Sequence, residues 1–148
     1  MNHFAEANHV ASAVAPALGN QFIVDLYDCG CERFDDLEWV EGVMVEAAQR
    51  AQATIVDVVF HKFSPIGISG IVVISESHLA IHTWPEYRYA AIDVFTCGEI
   101  LDCEAAIAHL GAAFGARQRS VVKVARGAME IIKRRTPSNP YLAPTSAG

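Results

Sequence analysis

Residues 69–98 read SGIVVISESHLAIHTWPEYRYAAIDVFTCG and hold most of the reactive side chains of the chain: Ser69, Ser75, Glu76, Ser77, His78, His82, Glu86 and Cys97. A serine hydroxyl can attack a carbonyl, an imidazole can move a proton near neutral pH, and a thiol can act as an acid. Strand alternation puts His78, His82 and Trp84 on one face and Leu79, Ile81 and Thr83 on the other. Asp93, Phe95 and Cys97 share a face of the next strand, so pairing the two strands can bring an imidazole and a thiol together. The same residues also have ordinary structural uses. A strand histidine is more often a hydrogen-bonded framework residue, a buried cysteine is a small inert hydrophobe, and Ser75-Glu76-Ser77 makes a polar turn. Phe63 beside Pro65 reads as a core ring, and Glu86 after Pro85 as a solvated turn residue.

The elements that must position these groups follow from periodicity. Phe22–Tyr27 reads as a first strand. Asp35 or Asp36 caps a helix to about Gln52, with Leu37, Val40, Met44, Ala47, Ala48 and Ala51 at three- and four-residue steps. Thr54–Phe60, Ile68–Ile74, His78–Trp84 and Tyr89–Thr96 read as four strands, with turns at Ser64–Gly67 and Pro85. Asp102 caps a second helix to about Phe114, ended by Gly115, and Ser120–Ala125 is a closing strand. Residues 1–20 and 136–148 read as loosely ordered ends of a single domain spanning 1–148. Hairpin-linked strands with two helices predict an α+β two-layer sandwich, mainly antiparallel, with both helices on one face. The strands from Ile55 to Phe95 carry few charges on either side of the alternation. A sheet apolar on both faces needs a second cover, which predicts a homo-oligomer.

Composition narrows the function classes. The chain has 148 residues, 52% of them hydrophobic, and a net charge of −6, which fits a compact domain and not a nucleic-acid binder. Seven of the eleven Lys and Arg residues lie between Arg117 and Arg135. No aromatic residues interleave them, so they read as a solvated strand edge and tail. Val10–Leu18 is short, interrupted by Ser12 and Pro16, and lacks the basic flank of a signal peptide; no apolar run reaches the length of a membrane span. Cys29, Cys31, Cys97 and Cys103 are then expected as reduced thiols of a soluble cytoplasmic protein.

The segment ISESHLAIHTWPEYRYAAIDVFTCG, with FHKFSPIGISGIVV upstream, closely resembles the self-processing segment of bacterial and archaeal S-adenosylmethionine decarboxylases. The likeness covers nearly all of residues 60–98 and extends to the strand–helix unit before and the helix–strand unit after. The N-terminal arm and the tail after Lys133 match less well. A Glu-Ser-His junction, a histidine five residues after that serine and a cysteine twenty after it make the constellation specific.

The resemblance implies that Ser77 attacks the carbonyl of Glu76 in an N-to-O acyl shift. Loss of the Ser77 α-proton then eliminates the Glu76 carboxylate, and hydrolysis of the dehydroalanine leaves a pyruvoyl group. Residues 1–76 become one chain and 77–148 the other. It implies that Ser69 supports the processing intermediate, that His82 takes the α-proton, and that Cys97 donates a proton in decarboxylation. The pyruvoyl group would form a Schiff base with S-adenosylmethionine and serve as the electron sink that pyridoxal phosphate provides elsewhere. Phe63 would stack on the adenine and Glu86 would bind the ribose. The product would be the aminopropyl donor for spermidine synthesis. Also implied are a homodimer with residues shared across the interface, no metal, no pyridoxal phosphate, no nucleic acid and no membrane.

Three rival readings follow from the same residues. The fold and self-cleavage serve ornithine or arginine decarboxylation in some relatives, but Phe63 and Glu86 favour the adenosyl substrate. A non-cleaving regulatory homologue would not need Ser77, His82 and Cys97 intact. Cys29-Gly30-Cys31 with histidines would make a zinc module, but a single C-x-C lacks the second paired motif.

Overall fold

The computed structural model describes residues 16–75, 77–97 and 101–135. Six strands form one antiparallel sheet: β1 (Ala17–Cys29), β2 (Thr54–Lys62), β3 (Ile68–Ser75), β4 (Ser77–Trp84), β5 (Tyr89–Thr96) and β6 (Ala116–Ala128). Their order across the sheet is β2-β3-β4-β5-β1-β6. Hairpins link β2 through β5, whereas β1 arrives from the other end of the sequence to separate β5 from β6.

Helices α1 (Leu37–Arg50) and α2 (Cys103–Ala113) cover one face. Asp36 caps α1, accepting from the Trp39 N–H, and Asp102 caps α2, accepting from the Ala105 N–H. Such a cap satisfies one of the orphan donors at a helix start, typically for about 1 kcal/mol. Gly115, at φ +62°, follows α2 in the left-handed conformation that glycine adopts without strain. Val40, Met44 and Ala47 from α1 and Ala106 and Leu110 from α2 are fully buried with Val24, Leu26, Val72, Leu79, Ile81, Ile92 and Val94 from the sheet. Each large aliphatic side chain so buried contributes about 1.5–3 kcal/mol. The helices and strands thus form the expected α+β two-layer sandwich.

Among the described residues the opposite sheet face carries no second layer. Ile23, Val59, Val122 and Val124 stand on it and are exposed. The structure departs from the sequence reading at both ends. β1 begins at Ala17, so residues 17–20 are strand and pair with β6 rather than belonging to a loose arm. β6 runs thirteen residues rather than six and leads into a short helix, α3 (Met129–Arg135), that the sequence reading had not marked. The expected loose segments 1–15 and 136–148 lie outside the described residues. Among the described residues no helix is long and apolar enough to cross a membrane.

Candidate active site

The open sheet face carries Ser69, His78 and His82, while Ser77, opposite the buried Thr96, falls on the other side of the β4 alternation; along the strands the reactive residues fall into two groups. Ser69 on β3 is directly opposite His82 on β4. Its Oγ lies 2.8 Å from His82 Nδ1. When Nδ1 donates to the hydroxyl, Nε2 keeps a lone pair and can take a proton; in the reverse arrangement Nε2 carries the proton. One serine therefore orients the ring for either direction of transfer. On the other side of Ser69 stands His61 of β2, whose ring meets Phe63 edge-on at 4.6 Å. Phe63 is half exposed, just past the end of β2. Glu86 is exposed in the helical turn Pro85–Tyr87 that follows β4. Phe63, Ser69, His82 and Glu86 therefore gather toward one end of the face.

An aromatic row adjoins this end. The Trp84 ring lies 6.4 Å from His82, Tyr89 lies tilted against Trp84 at 5.3 Å, and Tyr27 stacks on Tyr89 at 5.3 Å. Tyr89 donates a 2.5 Å hydrogen bond to the Asp25 carboxylate. That bond, with partial burial, pushes the phenol up to about 12.

The second group lies at the other end of β4 and β5. Ser77 opens β4 opposite Thr96, and Cys97, an exposed thiol, follows β5. Next to Ser77, His78 faces Phe95 with ring centroids 5.9 Å apart. The Arg126 guanidinium lies over the same Phe95 ring at 5.9 Å. Gly19 makes this packing possible: a Cβ there would fall 2.8 Å from the Thr96 carbonyl and 3.1 Å from the Phe95 ring. Glu76 is outside the described residues.

Within one chain the two groups stay apart. His82 is five residues from Ser77 along β4, about 16 Å at the rise of a strand. Its neighbour on β5, Ala91, is six residues from Cys97, about 20 Å. The structure brings Ser69 to His82 and Ser77 close to Cys97, but neither pair to the other. The cavities beside α1 (Glu32, Asp35, Glu38, Lys62) and between α2 and β6 (Phe22, Ile107, Arg119) are lined by none of these residues. Sequence reasoning missed Arg126 and Gly19. Alternation alone put Trp84 on the face of His82, but Arg126 and Gly19 reach Phe95 only through the pairings of β1 with β5 and β6.

The C-x-C segment is the basis of the zinc reading. Cys29 is buried, and burial first, then Asp28 and Cys31, pushes its thiol up to about 11, against the thiolate a metal needs. Among the described residues no group of three or more His, Cys, Asp or Glu side chains is arranged to hold a metal ion.

The sequence profile described as S-adenosylmethionine decarboxylase matches residues 20–127. The chain belongs to that family. It is 57% identical over 110 residues to the S-adenosylmethionine decarboxylase proenzyme of Pseudomonas aeruginosa, covering 74% of this chain and 69% of that protein. Against the proenzyme of Acidithiobacillus ferrooxidans it is 51% identical over 116 residues, covering 78% and 87%. The crystal structure of the adenosylmethionine decarboxylase from Aquifex aeolicus superposes with a TM-score of 0.71 at 29% identity, over 76% of this chain and 93% of that one. As a member of this family the protein is an enzyme, a decarboxylase made as a proenzyme.

Proposed function

We propose that this chain cuts itself between Glu76 and Ser77 and, as a homodimer, decarboxylates S-adenosylmethionine. The observation that carries the reading is the division of the site over a sheet face that the described residues leave uncovered. Ser69 and His82 form a pair ready to move a proton, and Ser77 and Cys97 lie far from it in the same chain. Two such faces packed together about a two-fold axis, head to tail, would lay Ser69 and His82 of one copy against Ser77 and Cys97 of the other. The same packing would cover Ile23, Val59, Val122 and Val124, whose exposure costs a lone chain solubility.

In this arrangement the Ser77 Oγ attacks the Glu76 carbonyl carbon, the Glu76–Ser77 C–N bond breaks as the hydroxyl proton passes to the Ser77 nitrogen, and the peptide becomes an ester with a free amine. Ser69 donates to the oxyanion of that step. His82 removes the Ser77 α-proton, and the Glu76 carboxylate leaves as the carbon–oxygen bond breaks. Water converts the resulting dehydroalanine to a pyruvoyl group and ammonia. Ser77 fits this fate: it opens a strand and is one residue from a thiol across the pairing of β4 with β5. Once formed, the pyruvoyl group supplies an electron sink for carbon dioxide release from an amine-bearing substrate.

The remaining residues bind and protonate. Cys97 gives the proton that replaces the departing carboxyl group. Phe63, a half-exposed ring, offers a stacking surface for adenine and attraction for a sulfonium. Glu86 offers acceptors to ribose hydroxyls. The product is the aminopropyl donor of spermidine synthesis, and the free thiols support a cytoplasmic setting. Intact-mass spectrometry of fresh protein beside Ser77→Ala tests the core of this reading. Two fragments meeting at Glu76/Ser77, with a pyruvoyl end on the second, are expected for the wild type and full-length chain for the variant. A wild type that stays full length for days would remove self-processing from the account.

A further inference from the structure

We propose that His78 is a positioning and proton-relay residue that returns the proton to Cys97 after each turnover. The inference rests on the decarboxylase reading only for the identity of the reaction; the histidine–thiol pairing itself is a matter of sheet register. Alternation along β4 puts both His78 and His82 on the open face, and either could have met the thiol. Within one chain, register decides between them. His82 is level with Ala91, about 20 Å from Cys97. His78 is level with Phe95, and Cys97 comes two residues later. Residues diagonal in this way have Cα atoms about 7–8 Å apart, within reach of an imidazole.

The surroundings leave the His78 ring available. It is half-buried, stands against Phe95, and forms no hydrogen bond to another described residue. The groups facing it can be enumerated. From β3 come Val73, directly opposite, with Ile71 and Ser75 on its diagonals, none of them charged. From β5 come Cys97 on one diagonal and Asp93 on the other. Asp93 accepts from the Gln21 side chain at 3.3 Å. Arg126, over Phe95, donates to Gln21 at 2.7 Å. Asp93 and Arg126 are thus linked through Gln21, and the thiol is the neighbour of His78 that has no partner among the described residues.

The step is a single proton transfer. When Cys97 has given up its proton it is a thiolate. The His78 imidazolium N–H bond breaks as the S–H bond forms, leaving a thiol and a neutral imidazole that water recharges. An imidazole titrates in the range where this exchange is reversible near neutrality. His78 also adjoins Ser77 in sequence, so the relay stays fixed to the chain end that processing creates.

The test compares wild type with His78→Gln, and repeats the pair in a Ser77→Ala background where neither chain is cut. Alkylation of Cys97 by iodoacetamide is followed against pH by fragment-resolved mass spectrometry, with Cys31 as internal reference. Between about pH 6 and 7.5, where an imidazolium favours a neighbouring thiolate, wild-type Cys97 is expected to react several-fold faster than in His78→Gln. Cys31 should be unchanged, and the difference should persist in the uncut background. In processed protein kcat per pyruvoyl end should fall about tenfold with KM held, in keeping with loss of a positioned proton carrier. Equal Cys97 curves in the two proteins, or a slowing shared by Cys31, would overturn the relay. A wild type that shows the Cys97 effect but releases no carbon dioxide from S-adenosylmethionine would leave the relay standing and remove the decarboxylase reading instead.

Discussion

The two ends of the open face differ in how complete one chain leaves them. At the Ser69 end, the serine and His82 are cross-strand partners in the middle of a hairpin, already hydrogen-bonded at 2.8 Å. At the Ser77 end, the serine and Cys97 sit at strand termini, and the base and the hydroxyl that their chemistry requires are about 16 Å away. A sheet fixes neighbours across strands to within a fraction of an ångström, but it cannot fold one end of a strand onto its other end. The sequence puts all the reactive groups within thirty residues, yet linear closeness here produces separation. The remedy is a second copy, because a two-fold axis through an apolar face matches each half-site with its complement.

The largest effect should come from breaking one half in each copy. Ser77→Ala alone and His82→Ala alone are each expected to lose at least about a thousandfold in activity, the first for want of the nucleophile and the second for want of the base. Mixed after mild dissociation, they should regain activity, since a His82→Ala chain keeps Ser77 and can draw on the His82 of its Ser77→Ala partner. At equal mixing, about a quarter of wild-type activity is the ceiling: half the dimers are mixed and each holds one sound site. Activity that never rises above the sum of the separate variants would return both half-sites to one chain.

A charge on the covering surface should come next. Val122→Asp puts a carboxylate on the exposed apolar face. It is expected to shift the protein to monomer in sedimentation and to cut processing at least tenfold at micromolar concentration, with recovery as concentration rises. The matching change on the helix side is Leu110→Ala in the buried layer. It should cost about 2–5 kcal/mol of stability yet leave the self-cleavage rate of the folded fraction nearly unchanged. If Val122→Asp instead remains a fully processed dimer, the interface is elsewhere.

How much of this was legible in the sequence follows the range of the interactions. Local rules located one cap at Asp35 or Asp36 and the other at Asp102, the hairpin turns and the histidines' common face. The lack of charges on the strands announced a face in need of cover. The identity of the site came from a resemblance concentrated between Phe60 and Gly98. What was hidden is non-local. Alternation could not say whether His78 or His82 meets the thiol, because that depends on the register of β4 against β5. Arg126 and Gly19 were invisible for the same reason: β1 is more than sixty residues from β5 and still inserts beside it. The strand at residues 17–20 was missed because Gly19 and Asn20 read as a break, whereas Gly19 is required there to let Phe95 pack against β1.

The smallest expected effect sharpens the comparison at the complete end of the face. Tyr89 links the aromatic row to Asp25 by its short hydrogen bond, and its phenol is pushed up to about 12 chiefly by that bond, with burial second. A proton held more tightly in the folded chain stabilises the fold fully below the unfolded phenol's value, near 10, and the contribution is lost as pH rises through the folded value. Tyr89→Phe should therefore be less stable than wild type by about 1 kcal/mol at pH 7, the worth of one hydrogen bond. Between about pH 10 and 12 the gap should close, because only the wild type has a phenol to ionise. Denaturant unfolding of the two proteins at pH 7, 10 and above reads this directly. A gap that stays constant across that window would mean that the Asp25 contact contributes nothing and that packing against Trp84 and Tyr27 alone holds the ring. Either way, activity should change little, since the row flanks His82 without taking part in proton transfer, and that contrast with His82→Ala separates the frame of the half-site from its chemistry.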